Sequence, residues 1–392
     1  MPIVFNMIKY NNVEFVAKTH YGLEELLANE LNQLGAKEIT IINRAVKFKG
    51  NKELLYKSNL WLRTAVNVLV PISSFKIRNQ HDLYEKVKQL DWLSYFDNNQ
   101  TFSIHSSVHS DLFQHTQFPA LKAKDAIVDK FREATGTRPS IDTKFADIRI
   151  NLHISNNLCN ISLDSSGKTL NKRGYRVGEI KAPINEVLAA GIIKLTNWQP
   201  SSPLFDPMCG SATFSIEAAL SANNIAPGLI NPKYAFQNWK DYNPELFEKV
   251  IIDAKKEKID APSKIMASDI DQRVLRNTTK NIFQANLNKK IQLTDYNFFN
   301  LKPEKGSTII LNPPYDVRLR SENINQLYRK IGDALKQNCS GCTAWIISSN
   351  DEAIKNIGLR PSKKYNLFNG KLPSKLLRFD LYEGSKKSKF NR

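Results

Sequence analysis

The 392 residues are too many for one ordinary domain, and a hydrophobic fraction of 41% allows two or three buried cores. The net charge of +18 indicates a polyanionic partner, most often a nucleic acid. We find neither an apolar run of 18 residues nor a signal peptide, so we expect a cytoplasmic protein without a membrane span. The four cysteines are too few for a disulfide framework, and Cys339 and Cys342 have no further ligands nearby, so we expect no metal site.

The first 165 residues alternate short strands with amphipathic helices. Residues 1–72 read strand, helix, strand, helix, strand, and the last strand, Val66–Ile72, is predicted to be closed by Pro71. Residues 73–165 repeat the alternation around a helix predicted over Ala120–Thr135. We therefore predict two small α+β domains, with boundaries at residues 72 and 165.

Basic residues lie on and around the helix of the second domain, beside aromatic residues. Such groups can bind phosphates and stack on bases, although a solvated helix face above core phenylalanines gives the same pattern. The net charge favours RNA contact. A basic connector, 167–178, follows, and three of its cations are included among the predicted RNA contacts. The predicted RNA-contacting residues are Phe118, Lys122, Lys124, Lys130, Arg132, Arg138, Lys172, Arg173 and Arg176.

Residues 166–392 alternate strands and helices in the rhythm of a parallel α/β sheet. A helix is predicted over Ala182–Leu195, with Pro183 in its first turn. The tail, Lys386–Arg392, is basic. The predicted strands are Leu204–Asp206, Lys264–Ser268, Lys290–Leu293, Thr308–Leu311, Thr343–Ser348 and Leu377–Tyr382. The predicted helices between them are Ile216–Ala222, Phe247–Lys256, Arg273–Ala285 and Ile324–Lys336.

A loop of small residues follows the first strand of this sheet. The strand ends at Asp206, and a helix begins near Ser211 or Thr213. Small residues allow the backbone to approach a ligand, and a helix start offers free N–H groups to a carboxylate. The loop lacks both the dinucleotide fingerprint and the Gly-Lys-Ser/Thr of a phosphate loop. Its candidate ligand-binding residues are Asp206, Pro207, Met208, Cys209, Gly210, Ser211 and Thr213.

Acidic residues end the next two strands. An acid at the second strand end can accept hydrogen bonds from both ribose hydroxyls, and we assign this role to Asp269. The other acid, Asp271, is then available to cap the following helix. Asp295 or Asn297, at the third strand end, could read the amino edge of an adenine. Residues Ile270, Asp271, Tyr296 and Asn297 belong to the same predicted site.

The segment Asn312-Pro313-Pro314-Tyr315 follows the fourth strand. Two carbonyl acceptors, the Asn312 side chain and the Pro313 backbone, can bind both hydrogens of a planar amino group and direct its lone pair towards a methyl donor. The prolines stiffen the loop, and Tyr315 can stack on the target ring. The alternative is a rigid turn without chemistry. We therefore predict that these four residues are catalytic and that Asn312 also contributes to the donor site.

In combination, these motifs resemble the THUMP-containing RNA methylases of the class I S-adenosylmethionine-dependent methyltransferases, and most closely the bacterial 23S rRNA guanine-N2 methyltransferases. The segments on which this resemblance rests are Asp206–Ser211, Ser268–Asp271, Asn312–Tyr315, Lys172–Arg176 and Thr116–Asp129. The resemblance implies a Rossmann-like domain with a seven-stranded, mostly parallel sheet over 166–392. Ferredoxin-like and THUMP domains would precede it.

The resemblance also implies how S-adenosylmethionine is held. Residues 206–211 would bind its methionine part, Asp269 its ribose and Asp295 its adenine. Pro183, Asn185 and Glu186 would close over its amino-acid end. One departure is Ala212, where the family has glycine. A negative φ would accommodate the methyl group there, whereas a positive φ would strain the loop.

Other acceptors remain open, because the Asn-Pro-Pro-Tyr segment fits any planar amino group. Adenine N6 in DNA or RNA and a protein glutamine amide are alternatives to guanine N2 in 23S rRNA. The N-terminal half favours RNA. A non-catalytic RNA-binding factor for ribosome assembly is a third hypothesis, against which the intact segment argues. We expect no metal and a monomer or weak dimer.

Overall fold

A computed structural model describes residues 12–113, 115, 117–177, 183–314 and 321–382, without the side chains of 321–323. Contacts divide the chain into two compact units. The first contains the described residues of 12–19, 27–170 and 232–253, and the second those of 20–26, 171–231 and 254–382. Tyr315, Ala182 and the basic tail lie outside the described residues.

The first unit is built on an eight-stranded sheet in the order β2-β3-β1-β4-β8-β7-β5-β6. Its pairs are antiparallel except for β5 with β6 and with β7. The strands are β1 (Val13–Thr19), β2 (Lys37–Ile42), β3 (Ala45–Gly50), β4 (Ala65–Lys76), β5 (Thr101–His109), β6 (Ser140–Ile141), β7 (Ile148–Ser155) and β8 (Leu158–Asp164). The helices of this part of the chain are α1 (Glu24–Gln33), α2 (Lys52–Trp61), α3 (Gln80–Lys88) and α4 (Phe118–Thr135).

Strand β4 is longer than predicted, because Pro71 does not close it. The strand runs from Ala65 to Lys76, and its register with β8 shifts between Pro71 and Ser73. Such a bulge tolerates a residue that lacks an N–H group, so the proline interrupts the pairing without ending the strand. The strand crosses the boundary predicted at residue 72, and both predicted N-terminal domains contribute to one sheet. The boundaries at 72 and 165 remain predictions.

The second unit contains a seven-stranded sheet in the order β11-β10-β9-β12-β13-β15-β14. Strands β9 to β13 are parallel, while β15 runs antiparallel to both neighbours, which confirms the predicted mostly parallel sheet. The strands are β9 (Leu204–Asp206), β10 (Ile265–Ser268), β11 (Ile291–Thr294), β12 (Thr308–Leu311), β13 (Thr343–Ser348), β14 (Lys363–Asn369) and β15 (Leu372–Asp380). The remaining helices are α5 (Glu186–Thr196), α6 (Thr213–Ala222), α7 (Pro244–Lys256), α8 (Gln272–Gln284), α9 (Ser321–Asn338) and α10 (Asp351–Lys355).

The chain order places a topological switch between β9 and β12. From β9 the chain moves through β10 to β11 at one edge, and then returns to β12 on the other side of β9. In open α/β sheets, ligands bind at this point, outside the carboxyl ends of the strands. The segments after β9, β10, β11 and β12 therefore meet at one edge of the sheet.

Helix α5 begins later than predicted. It starts at Glu186, so Pro183 precedes the helix and does not lie in its first turn. The side chain of Asn185 accepts hydrogen bonds from the N–H groups of Val187 and Leu188, at 2.9 and 3.2 Å. This cap satisfies two N–H groups that the helix itself leaves free, and it fixes the start of α5 at Glu186.

Candidate methyl-donor and acceptor site

The carboxylate of Asp206 ends β9 inside the protein. Only 1% of the residue is exposed, and Ser215 Oγ of α6 donates to Asp206 Oδ2 at 2.9 Å. The other oxygen, Oδ1, is buried and has no hydrogen-bond partner among the residues that the structure describes. Burial raises the pKa of Asp206 to about 7, although hydrogen bonds from Ser215 act in the opposite direction. A buried acceptor oxygen is therefore free for a ligand.

The loop after β9 is tied to the end of β10. The N–H of Cys209 donates to the Ser268 carbonyl at 3.0 Å, and the N–H of Gly210 donates to Asp269 Oδ2 at 3.1 Å. Gly210 has a φ of +53°, and a Cβ added to it would meet no atom within 4 Å. The loop thus presents bare backbone to open space, as a cradle for a ligand requires.

Helix α8 holds the loop from its other side. The hydroxyl of Thr278 donates to the Gly210 carbonyl, and Asn281 Nδ2 donates to the Ser211 carbonyl at 3.2 Å. Both side chains are buried. Sequence reasoning did not single out these residues, since threonine and asparagine in a helix carry no signal of their own.

Ala212 has a positive φ, which is the conformation expected to strain the loop. Its φ of +55° and ψ of 32° lie in the left-handed region, and the residue is fully buried just before α6. Its N–H donates to the Cys209 carbonyl at 2.7 Å, which closes the tight turn. A left-handed conformation costs an alanine about 1–2 kcal/mol that a glycine is spared.

The two acids after β10 have separate partners. Both oxygens of Asp269 accept backbone N–H groups, from Gly210 and, at 3.0 Å, from Asp271. Asp271 caps α8 as expected of one of the pair, because its side chain accepts from the N–H of Arg273 at 2.8 Å. Its ion pair with the Arg273 side chain, and then that backbone bond, lower the pKa of Asp271. Asp269 consequently faces the loop, while Asp271 is committed to its own helix.

Two exposed apolar side chains flank these acids. Ser268 and Thr294 are paired residues of β10 and β11, and two positions beyond each stand Ile270, 71% exposed, and Tyr296, 58% exposed. Between the strand ends, Gln272 Nε2 donates to Asp295 Oδ2 at 3.2 Å.

Asn297 has a local role. Its side chain caps the short turn that follows, accepting from the N–H of Phe299 at 3.0 Å. The Asn297 amide oxygen is therefore engaged in the turn, and Asp295 remains the predicted contact of the adenine at this strand end.

Asn312 places a buried acceptor directly after β12. Its Oδ1 atom is buried and has no hydrogen-bond partner within the described ranges. Pro313 is buried and Pro314 is exposed, so the loop turns outwards after Pro313. Since β12 neighbours β9 across the switch point, the unpaired oxygens of Asn312 and Asp206 extend from adjacent strands.

The prediction that Arg173 contacts RNA is wrong. Its side chain is 2% exposed and forms an ion pair with Glu217 of α6, with Nε 3.3 Å from Oε1. The hydroxyl of Tyr175 donates to the same oxygen at 3.2 Å. A single glutamate within the apolar sequence of α6 was the signal for a buried partner, because a lone charge is rarely buried unpaired.

Arg176 is likewise engaged with protein groups. Its Nη2 atom donates to Thr213 Oγ1 and to the Ile184 carbonyl, both at 3.0 Å. Its Nη1 atom lies 3.3 Å from Glu186 Oε1. The guanidinium therefore joins the starts of α5 and α6, and the RNA contact of Arg176 remains a prediction. Lys172 is exposed and remains a predicted RNA contact.

The basic helix α4 also carries acidic residues that pair with its cations. Lys124 pairs with Asp125 at 2.7 Å, and Arg132 pairs with Asp129 at 3.0 Å. The ammonium of Lys122 lies 5.6 Å from the ring centroid of Phe118. Ion pairs along the helix reduce its net charge, so RNA binding by Phe118, Lys122, Lys124, Lys130, Arg132 and Arg138 stays a prediction.

Two kinds of feature are absent from the described part of the chain. No group of three or more His, Cys, Asp or Glu residues that could hold a metal ion occurs there. No helix of that part is long and apolar enough to cross a membrane.

The chain matches three known protein families. Residues 173–378 match the family described as RMKL-like, methyltransferase domain. Residues 78–164 match the THUMP domain, and residues 14–69 match the RlmL ferredoxin-like domain. Together these matches confirm the resemblance drawn from the sequence.

Relatives and solved structures agree with these matches. The chain is 39% identical to a protein of Synechocystis sp. that is named as an RNA methyltransferase, over 94% of this chain and 97% of that one. It is 35% identical to the ribosomal RNA large subunit methyltransferase K/L of Syntrophotalea carbinolica, over 95% of this chain but only 54% of that protein, so it spans about half of that relative's length. A crystal structure of a methyltransferase complexed with S-adenosylhomocysteine is 30% identical, with a TM-score of 0.85, and covers 96% of this chain and 100% of that one.

Proposed function

The chain belongs to the RMKL-like methyltransferase family, and on this premise we propose that it transfers a methyl group from S-adenosylmethionine to the exocyclic N2 of a guanine in 23S rRNA. The observation that supports this most is the buried, partnerless Oδ1 of Asn312 at the end of β12. An amide oxygen in that position accepts a hydrogen bond from an amino group, and it gains one when a target base enters.

The residues after β9, β10 and β11 fit S-adenosylmethionine. The free Oδ1 of Asp206 suits its ammonium group, and the bare backbone at Gly210 leaves room for its methionine chain. We assign Asp269 to the ribose hydroxyls, and the exposed Ile270 and Tyr296 are proposed to supply apolar surface for the adenine. Bound there, the molecule supplies a methyl group on a positively charged sulfur. The further residues assigned to it are Pro183, Asn185, Glu186, Pro207, Met208, Cys209, Ser211, Thr213 and Asp295.

Asn312 and Pro313 orient the acceptor. The lone pair of an aromatic amino group is delocalised into the ring, which makes the nitrogen a weak nucleophile. Hydrogen bonds from its two hydrogens to the Asn312 side chain and the Pro313 carbonyl direct the lone pair at the methyl carbon. As the N–C bond forms, the bond between the methyl carbon and the sulfur breaks, and its electron pair stays on the sulfur of the departing S-adenosylhomocysteine. The nitrogen becomes cationic and these oxygens stabilise the charge, after which one proton leaves to solvent. Tyr315 is proposed to stack on the base.

RNA is the substrate class that the N-terminal half supports. A THUMP domain over 78–164 and a net charge of +18 both suit RNA, and the K/L name of a relative points to the large-subunit rRNA. The target guanine has to leave its stack to reach the site, as in other base-modifying enzymes. Adenine and glutamine amino groups present the same two hydrogens, so the acceptor has to be measured.

The test supplies labelled S-adenosylmethionine with separate pools of 23S rRNA, genomic DNA and protein from cells lacking this gene. Mass spectrometry of the labelled nucleosides is expected to identify N2-methylguanosine in 23S rRNA. Asn312→Ala should abolish the label, and Asn366→Ala, an exposed asparagine on β14, should not. N6-methyladenosine as the product would show that the acceptor is adenine and not guanine. Labelled glutamine would exclude a nucleic-acid acceptor.

A further inference from the structure

One face of the sheet in the first unit is polar, and the site described above does not use it. In-register pairs place His105 beside Asn151, Ser107 beside His153 and His109 beside Ser155, so these side chains of β5 and β7 share one face. The opposite face carries the buried core residues Phe102, Ile148, Ile150, Leu152 and Ile154. Except for Asn151, which is buried, these polar residues lie outside the core.

The sheet curves towards the polar face. Lys18 Nζ of β1 donates to Asn151 Oδ1 of β7 at 3.3 Å, although β4 and β8 lie between these strands. Strands three places apart are separated by about 14 Å in a flat sheet. Direct contact between their side chains indicates a concave surface, which can enclose an extended ligand better than a flat one.

The open part of this face offers imidazoles and a guanidinium. His105 and His109 are exposed, His153 and Arg149 are half-buried, and the rings of His109 and His153 are 6.2 Å apart. We call these four residues the histidine face. Imidazole and guanidinium groups donate hydrogen bonds to phosphates and stack on bases.

The nearby acids are already bonded to the protein. Asp147 Oδ2 accepts from the N–H of Thr101 at 2.9 Å and from its hydroxyl at 2.7 Å. Asp164 is bonded by Asn67 at 3.0 Å and by the N–H of Ser166 at 2.9 Å. Because these carboxylates are held by protein donors, the imidazoles and Arg149 are the donor groups that this face offers to an anionic chain.

An exposed aromatic ring stands at the margin of the histidine face. Phe145 is 74% exposed, the most of any large hydrophobic residue that the structure describes. Its turn is fixed, because Asp142 Oδ1 accepts the N–H groups of Lys144 and Phe145, both at 2.8 Å. Arg149 Nη2 donates to the Lys144 carbonyl at 2.7 Å and so ties the turn to β7. A ring held outwards beside two cations is a platform for base stacking.

We propose that the histidine face and Phe145 bind a single-stranded segment of RNA, with a base on Phe145 and phosphates on the imidazoles and Arg149. Single-stranded RNA fits because a stacked duplex offers no free base to Phe145. This inference rests on the proposed function in that both take RNA as the substrate class. The histidine face and Phe145 lie outside the methyl-transfer site. Substitutions of these residues are therefore expected to weaken RNA binding and to leave the chemistry of the site intact.

The experiment measures binding of a fluorescein-labelled twelve-nucleotide RNA of mixed sequence to the full chain by fluorescence anisotropy. Phe145→Ala and the double variant His105→Gln/His109→Gln are each expected to weaken binding about tenfold, within the range known for lost stacking contacts. Phe145→Tyr should restore it. The matched controls are Phe283→Ala, 71% exposed on α8, and His81→Gln, exposed on α3, and both should bind as the parent protein does.

Two further results separate this inference from the proposed function. Asn312→Ala is expected to bind the oligonucleotide with unchanged affinity while losing methyl transfer. Parent-like affinity of Phe145→Ala and of the double histidine variant, in protein with unchanged thermal unfolding, would overturn the inference and leave the proposed function standing. Failure of the parent chain to bind the oligonucleotide at all would also overturn it.

Discussion

The backbone N–H of Gly210 donates to Oδ2 of Asp269 at 3.1 Å, which joins the loop after β9 to the end of β10. The carboxylate that we assign to the ribose thus also sets the position of the loop assigned to the methionine part. Recognition of the two ends of S-adenosylmethionine is coupled through this bond, since displacement of either partner moves the other.

Substitution of the two neighbouring acids should separate their roles. Asp269→Ala removes both the loop contact and the ribose acceptor, so we expect the Kd for S-adenosylmethionine to rise at least tenfold. Asp271→Ala removes the cap of α8 and should cost about 1 kcal/mol of unfolding free energy. Its Kd should change less than threefold. Isothermal titration and urea unfolding measure both quantities, and a larger loss of affinity in Asp271→Ala would reverse the assignment.

The affinity for the methyl donor should depend on pH through Asp206. Its pKa is raised by burial to about 7, so the carboxyl is protonated below that pH in the free protein. An ammonium group binds the ionised form, and we expect the Kd of S-adenosylmethionine to rise by up to tenfold per pH unit as pH falls below 7. Titration calorimetry from pH 5.5 to 8.5 measures this, with Asp206→Asn as the comparison that lacks the dependence. A flat profile in the parent protein would contradict the role of Asp206.

Asp206 also predicts how stability varies with pH. Because its pKa in the folded state exceeds that of an unfolded chain, its contribution is complete below about pH 4 and is lost as pH rises through about 7. The slope approaches about 1.4 kcal/mol per pH unit. Urea unfolding of the parent and Asp206→Asn proteins should therefore diverge between pH 4 and 7, with the variant losing less stability as pH rises. Parallel curves would exclude this burial effect.

Ala212→Gly is expected to be nearly neutral, within about 0.5 kcal/mol of unfolding free energy. Relief of the left-handed conformation offsets the lost methyl group and the greater freedom of glycine when unfolded. Ala219→Gly, also fully buried but inside α6, has no such relief and should cost about 1–2 kcal/mol. Denaturant titration compares the two variants. Equal losses would mean that Ala212 is unstrained.

Loss of the Arg173–Glu217 ion pair should affect stability and spare RNA binding. Glu217→Gln removes the carboxylate that forms an ion pair with the buried Arg173 and should cost about 3–5 kcal/mol. The salt dependence of RNA affinity should not change in protein that remains folded. Lys172→Gln is the exposed control, and it should reduce the salt slope without affecting unfolding. A reduced slope in Glu217→Gln would return the Arg173 region to the RNA interface.

The sequence predicted the elements whose residues have strong local reasons to form them. The ends of β9, β10 and β12 were predicted because a buried apolar run stops abruptly at Asp206, Ser268 and Leu311. Strand β14 was missed, since Leu367 is its one buried residue and it reads Lys-Lys-Tyr-Asn without regular alternation. Its place comes from pairing with β15, and no local pattern records such a long-range contact.

Side-chain partners were harder to predict than strand ends. Arg173 looked available to RNA because its sequence neighbours are basic, and only the fold brings Glu217 to it. The same holds for Arg176, which meets Thr213 and Glu186 after α5 and α6 have packed. Charge along a sequence indicates the class of partner, whereas the pairing of each charge depends on tertiary structure.

Asn312 is proposed to contribute more to the orientation of the acceptor than to binding of the methyl donor. The most direct test measures, on Asn312→Ala, both the Kd of S-adenosylmethionine and the single-turnover rate of methyl transfer to 23S rRNA. We expect the Kd to stay within threefold, and the rate to fall by about 100- to 1000-fold, as for the loss of one positioned group that stabilises charge. A variant that transfers methyl groups at the parent rate, or one that loses its affinity for S-adenosylmethionine, would contradict the account.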